Sequence, residues 1–165
     1  MIYFDMDGVL ADFNRGVKEL CGMEPKQQGT ADSAYYDELW QRVKDAGHFY
    51  DRLELMDGAY DLFREVHDLY GDRCQVLTGI PNPKRQIITA AEDKARWMHR
   101  NFGEDIIVHT VLRKEKKEFV KGPSSILIDD YIANAKQWEI AGGTAILHID
   151  VQHTRQALIH MGILR

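Results

Sequence analysis

The chain opens with Met1-Ile2-Tyr3-Phe4-Asp5-Met6-Asp7-Gly8-Val9-Leu10-Ala11-Asp12-Phe13-Asn14, and these residues decide the fold. Residues 1–5 read as a short strand covered on both faces, because aliphatic and aromatic side chains follow one another without the alternation of a half-exposed sheet. The run stops at two aspartates one residue apart, followed at once by a glycine. Residues two apart on a strand point to the same face, so Asp5 and Asp7 would converge where the strand gives way to a turn.

Further strands are expected at 74–78, 105–111, 124–129 and 143–149, all rich in β-branched and aliphatic residues. Helical segments lie between them. Ile88, Ala91, Ala95, Met98 and Phe102 repeat at three-and-four spacing and end at Gly103, while shorter helices are expected at 131–141 and from about 153. Strands alternating with helices imply parallel pairing through right-handed crossovers, hence an α/β fold of three layers, α/β/α.

The interval between the first two strands, nearly seventy residues, exceeds what one crossover helix needs. It carries three apolar stripes: Leu10, Phe13, Val17 and Leu20; Tyr36, Leu39, Trp40 and Val43; and Ala59, Leu62, Phe63, Val66 and Leu69, the last with Asp57 as an expected N-cap. The reading is one domain over 1–165, with a core of 1–21 and 53–165 and a small helical cap over approximately 22–52.

In open α/β sheets ligands bind beyond the carboxyl ends of the strands. Paired carboxylates there serve a metal, serve acid/base chemistry with nucleophilic attack, or merely cap a helix. The pair does not stand alone: Ile126-Leu127-Ile128-Asp129-Asp130 puts two more carboxylates at a second strand end, and Val76-Leu77-Thr78-Gly79 puts a hydroxyl at a third. Three polar strand ends suggest one shared site. Carboxylates without thiols or an imidazole pattern call for a hard cation, Mg²⁺ first. A carboxylate nucleophile, a second carboxyl to protonate a leaving oxygen, a metal and a lysine are the parts of phosphoryl transfer.

At this point the sequence resembles the haloacid dehalogenase-like (HAD) phosphatase superfamily, whose four motifs occur in order: "DMDGVLADF", Thr78 in "VLTG", a lysine in "RKEKKEFVK", and "LIDD". The resemblance implies a Rossmann-like core with Asp5 as nucleophile and Asp7 as general acid and later base. It implies a Mg²⁺ held by Asp5, the Asp7 backbone carbonyl and Asp130, with Asp129 behind them, and phosphate oxygens bound by Thr78 and the Gly79 amide. Among Lys114, Lys116, Lys117 and Lys121, counting back from "LIDD" favours Lys117, then Lys116.

Within the superfamily, "DMDGVLADF", "HFYDRLELMDGAYDLFREV" and "KARWMHRNFG" look like the 5′(3′)-deoxyribonucleotidases. The resemblance implies a nucleoside monophosphate as substrate and Phe13 against its base; core packing competes for Phe13. Trp40, on a helical stripe, is a candidate for stacking on the base or for packing alone. Two features depart from that family: "CGMEPKQQGTADSAYYDELW" has no clear match to its aromatic cap, and Gly79, Ile80 and Pro81 replace serine and proline after its threonine. Alternatives are another small phosphate ester as substrate, a polynucleotide 3′-phosphatase, or a non-catalytic phosphate-binding protein on the same fold.

With 21 basic and 26 acidic residues the formal charge is −5, which argues against a nucleic-acid polymer as partner. No apolar run is long enough to span a bilayer, and the opening lacks the features of a secretory signal, so a cytoplasmic location is expected. Cys21 and Cys74 are too few for a disulfide framework, and the seven histidines show no zinc-ligand spacing. Arg52 is weighed as a phosphate contact against an exposed surface role. A homodimer is suggested by the family alone.

Overall fold

The computed structural model describes all 165 residues. Five parallel strands form one sheet: β1 (Ile2–Phe4), β2 (Cys74–Ile80), β3 (Val108–Leu112), β4 (Ile126–Asp129) and β5 (Thr144–Leu147), in the spatial order β3-β2-β1-β4-β5. β1 occupies the middle, pairing Phe4 with Val76 on one side and with Ile128 on the other. The chain therefore winds outward through β2 and β3, then returns across β1 to lay down β4 and β5. The order reverses between β1 and β4, and open α/β sheets bind their ligands outside the carboxyl ends of the strands at such a reversal.

Six α-helices accompany the sheet: α1 (Phe13–Cys21), α2 (Ser33–Ala46), α3 (Ala59–Tyr70), α4 (Ala90–Phe102), α5 (Ile132–Ile140) and α6 (Val151–His160). Local signals set their ends. The Asp12 and Asp32 side chains accept the Arg15 and Tyr35 amides and cap α1 and α2. Gly22, at φ +62°, ends α1 in the left-handed conformation. α3 starts from Gly58 rather than from the expected Asp57, because Gly58 turns left-handed at φ +73° and the first helical residue follows it directly. No helix is long and apolar enough to cross a membrane.

Both faces of the sheet are covered. Ile2 and Phe4 point into a large core with Leu62, Phe63 and Val66 of α3, Trp97 and Met98 of α4, and Leu158 of α6. Tyr3, Leu77 and Leu127 point the other way and pack with Trp138 of α5. Full burial of each such side chain contributes about 1.5–3 kcal/mol. Asp5 continues the alternation of β1 on the Tyr3 side, toward the 3₁₀ stretch Arg113–Phe119 that follows β3.

Between β1 and β2, α2 packs on α1, on the 3₁₀ turn Phe49–Arg52 and on the turn Pro83–Arg85 that follows β2. The Arg85 guanidinium donates to Asp37 at 2.5 Å, and the Lys44 ammonium to Gln86 at 3.0 Å, tying α2 to the loop after β2. One expectation for α4 fails. Ile88 is 92% exposed in the loop before the helix, and the buried face carries Ala90, Asp93, Lys94, Trp97, Met98 and Phe102. The stripe is rotated from the one the apolar residues alone define, because two buried charged groups lie on it.

Candidate active site

Asp5 leaves β1 with its amide donating to the Ile128 carbonyl at 2.9 Å, so the sheet ladder itself places it beside β4. The chain then turns sharply. The Met6 carbonyl accepts the Leu10 and Ala11 amides at 2.8 and 2.9 Å, and Gly8 sits at φ +76°. A side chain at Gly8 would also meet a neighbour, since a Cβ there would lie 2.1 Å from Asp130 Oδ2. The glycine thus lets the first loop and the end of β4 touch.

At the end of β4 the two aspartates have different surroundings. Asp129 is fully buried and saturated: its Oδ2 accepts Lys116 Nζ at 2.7 Å and Asn134 Nδ2 at 2.9 Å, and its Oδ1 accepts the Tyr131 amide at 2.9 Å. Asp130 keeps a buried Oδ1 with no hydrogen-bond partner. Oxygens from Asp5, Asp129 and Asp130 all lie within 4.8 Å of one another.

Lys116, not the favoured Lys117, turns into the site. Its ammonium lies 3.0 Å from Asp5 Oδ1 and is buried, whereas Lys117 is exposed. The run is wound as a 3₁₀ helix, three residues per turn, and only one of its lysines can face Asp129. Lys114 and Lys121 are not buried either.

Thr78 is fully buried near the end of β2, and Gly79 follows it in the same strand. Between them and Asp7 lies a residue the sequence reading passed over. Lys94, from α4, is fully buried; its Nζ donates to Asp7 Oδ2 at 2.6 Å, to Thr78 Oγ1 at 3.0 Å and to the Gly79 carbonyl at 2.7 Å. A buried ammonium is tolerated only when paired and hydrogen-bonded, as here. The signal was present in the sequence: Lys94 falls on the stripe Ala90, Lys94, Trp97, an unexplained charge on an otherwise buried face.

Phe13 and Trp40 are brought together, half-buried, with ring centroids 6.2 Å apart. Phe13 also stacks on Tyr50 at 6.4 Å and meets Phe49 edge-on at 5.5 Å. The Tyr50 ring in turn lies 4.4 Å from Lys94 Nζ, so the aromatic group abuts the polar site. Arg52 turns away to the Ala46 carbonyl at 2.7 Å and the Gly47 carbonyl at 3.3 Å, where it closes the end of α2.

Crowding and burial shift the acids. Burial pushes the Asp130 carboxyl up to about 8, helped by the charges of Asp5, Asp129 and Asp7. Burial also raises Asp7, against the pull of Lys94, and raises Asp129, against the pull of Lys116. For Lys116, burial alone would favour the neutral amine, but Asp5 and Asp129 outweigh it and hold its pKa above the ordinary lysine value. Burial, then the charge of Asp7, keeps the Tyr50 phenol well above its usual value.

A hard divalent cation fits this donor set. The cluster offers carboxylate oxygens and neither thiol nor imidazole; Asp130 Oδ1 is buried without a hydrogen-bond partner, and Asp5 Oδ1 is buried with only the Lys116 ammonium beside it. When ionised, the four aspartates outnumber Lys94 and Lys116 by two charges, the amount such a cation carries.

No protein-family model matches the chain. It is 28% identical over 145 aligned positions to the cytosolic type of 5′(3′)-deoxyribonucleotidase from Homo sapiens, an alignment spanning 78% of this chain and 69% of that protein. Among solved structures, the crystal structure of a HAD family hydrolase from Deinococcus radiodurans, with bound phosphate and sodium, superposes with a TM-score of 0.59 at 15% identity, covering 99% of this chain and 96% of that one.

Proposed function

We propose that this chain, whose fold is that of the HAD-superfamily hydrolases, is a Mg²⁺-dependent phosphomonoesterase acting on nucleoside monophosphates. The convergence of Asp5, Asp7, Thr78, Lys116, Asp129 and Asp130 at the reversal of strand order carries the reading. The relative named as a 5′(3′)-deoxyribonucleotidase supports the nucleotide.

In this reading the Asp5 carboxylate attacks phosphorus and forms an aspartyl-phosphate as the bond from phosphorus to the ester oxygen breaks. Asp7 delivers a proton to the departing oxygen; burial, which raises its carboxyl, suits it to carry that proton. Water then attacks the aspartyl-phosphate, Asp7 takes its proton, and inorganic phosphate leaves with Asp5 restored. The Lys116 ammonium and the Thr78 hydroxyl meet the phosphoryl oxygens and stabilise the charge that spreads over them.

Asp5, Asp130 and the Asp7 backbone carbonyl would hold the Mg²⁺, with Asp129 orienting Lys116. The ion supplies neutralising charge, which lets Asp5 stay ionised beside a dianionic ester. Residues 22–52 act as a cap over the crevice, and Phe13 and Trp40 present aromatic faces to the base.

The test is phosphate release from ribo- and deoxyribonucleoside 5′- and 3′-monophosphates and from sugar phosphates, with Mg²⁺ and with chelator, using Asp5→Asn as the blank. Metal-dependent release concentrated on nucleotides is the expected result. Release only from sugar phosphates keeps the mechanism and moves the substrate; release from none of them refutes the assignment.

A further inference from the structure

Two buried lysines enter the site, and their surroundings differ in a way that divides their roles. Lysine has three N–H donors. Lys116 spends them on Asp129 Oδ2 and toward Asp5 Oδ1, which leaves one for a phosphoryl oxygen. Lys94 has none left: Asp7 Oδ2, Thr78 Oγ1 and the Gly79 carbonyl take all three, and the Tyr50 ring lies against the same ammonium, 4.4 Å from it.

We propose that Lys94 is a positioning residue and not a phosphate ligand: it grips one oxygen of Asp7 so that the other delivers the proton, and orients the Thr78 hydroxyl toward the phosphoryl group. The geometry gives each part of this. With Oδ2 engaged at 2.6 Å, Asp7 Oδ1 is the oxygen left buried and without a partner, so the proton exchanged with the leaving oxygen resides there. Thr78 accepts from Lys94 through its oxygen, so its own O–H is free to donate elsewhere. Because Tyr50 also stacks on Phe13, the aromatic group proposed to receive the base rests on the same ammonium that holds the acid. Base recognition and acid placement thus share one support.

The inference rests on the phosphomonoesterase reading, and the experiment separates the two. Two esters are compared: the best nucleoside monophosphate, whose alkoxide must be protonated to leave, and p-nitrophenyl phosphate, whose leaving group departs without a proton. Lys94→Met is expected to lower kcat/KM, which reports the steps up to formation of the aspartyl-phosphate, about 100-fold on the nucleotide and less than about 10-fold on the aryl ester, the difference being the general-acid contribution. The Kd of inorganic phosphate, measured by calorimetry with Mg²⁺, should stay within about threefold of wild type in Lys94→Met and weaken by at least about tenfold in Lys116→Met.

Since Lys94→Met strands a buried Asp7, the double variant Asp7→Asn/Lys94→Met, which removes both charges, is measured beside Asp7→Asn alone. Equal nucleotide turnover in those two supports the coupling. Equal losses of kcat/KM on the two esters, or a loss of phosphate affinity in Lys94→Met, overturns the positioning role while the phosphatase stands. A wild-type protein that turns over neither ester overturns the functional reading and this role with it.

Discussion

Replacing Asp130 with Asn tests the acid cluster through stability alone, before any substrate is known. In the metal-free protein the Asp130 carboxyl titrates at about 8, against about 3.9 for an unfolded aspartate. Between those values the native state holds a proton that the unfolded chain has released, so this group's contribution falls as pH rises, by up to about 1.4 kcal/mol per pH unit. Across the whole window the ceiling is about 6 kcal/mol, and water reaching the partly exposed site trims it to about 2–4 kcal/mol. Asn carries no such penalty. Asp130→Asn should therefore match wild type near pH 4 and gain on it steadily up to about pH 8, as read from urea unfolding in chelator at each pH. Added Mg²⁺ should close most of that gap, stabilising wild type by about 2.7 kcal/mol at a hundred times its Kd and the variant by much less. A stability difference that does not change with pH would refute the titration, and equal Mg²⁺ stabilisation of both proteins would refute Asp130 as a ligand.

Asp5→Asn should fold normally and lose essentially all turnover, because the amide keeps the shape but cannot attack; phosphate release within about tenfold of wild type would remove the nucleophile assignment. Lys116→Met should cost about 100-fold or more in kcat, whereas Lys117→Met, at an exposed position, should leave kinetics nearly unchanged; the opposite order would mean the 3₁₀ turn is wound differently. Gly8→Ala must adopt φ +76° and place its Cβ against Asp130 Oδ2, so the unfolding free energy should drop by at least about 1–2 kcal/mol and Mg²⁺ affinity should fall with it; unchanged titration by Mg²⁺ would show that Asp130 need not stay where it is. Phe13→Leu and Trp40→Leu should raise KM for nucleotides more than for p-nitrophenyl phosphate, and equal changes on both would assign the aromatic pair to packing.

Most of the β1 site was legible because it is local. Asp5, Asp7 and Gly8 are neighbours in the chain, and the end of a buried strand followed by a glycine turn dictates where they point. The same holds for Asp129 and Asp130 after β4 and for Thr78 near the end of β2, each announced by the apolar run before it. The alternation of strands and helices was equally sufficient for a parallel sheet, since right-handed crossovers leave few other ways to connect such elements. Matters that depend on helix phase were not legible. Lys116 and Lys117 are adjacent in one charged run, and only the winding of Arg113–Phe119 against Asp129 selects between them. Lys94 was passed over because an apolar stripe drawn through Ile88 and Ala95 misses the face on which the charge is buried.

Sequence alone determined the carboxylates and the hydroxyl of the site, since strand ends and turns are local and their chemistry is written in consecutive residues. Tertiary structure decided which cation serves which acid. A lysine is buried only where distant segments supply acceptors for its N–H groups, and Asp7, Thr78 and Gly79 come from two strand ends that meet α4 only in the assembled fold.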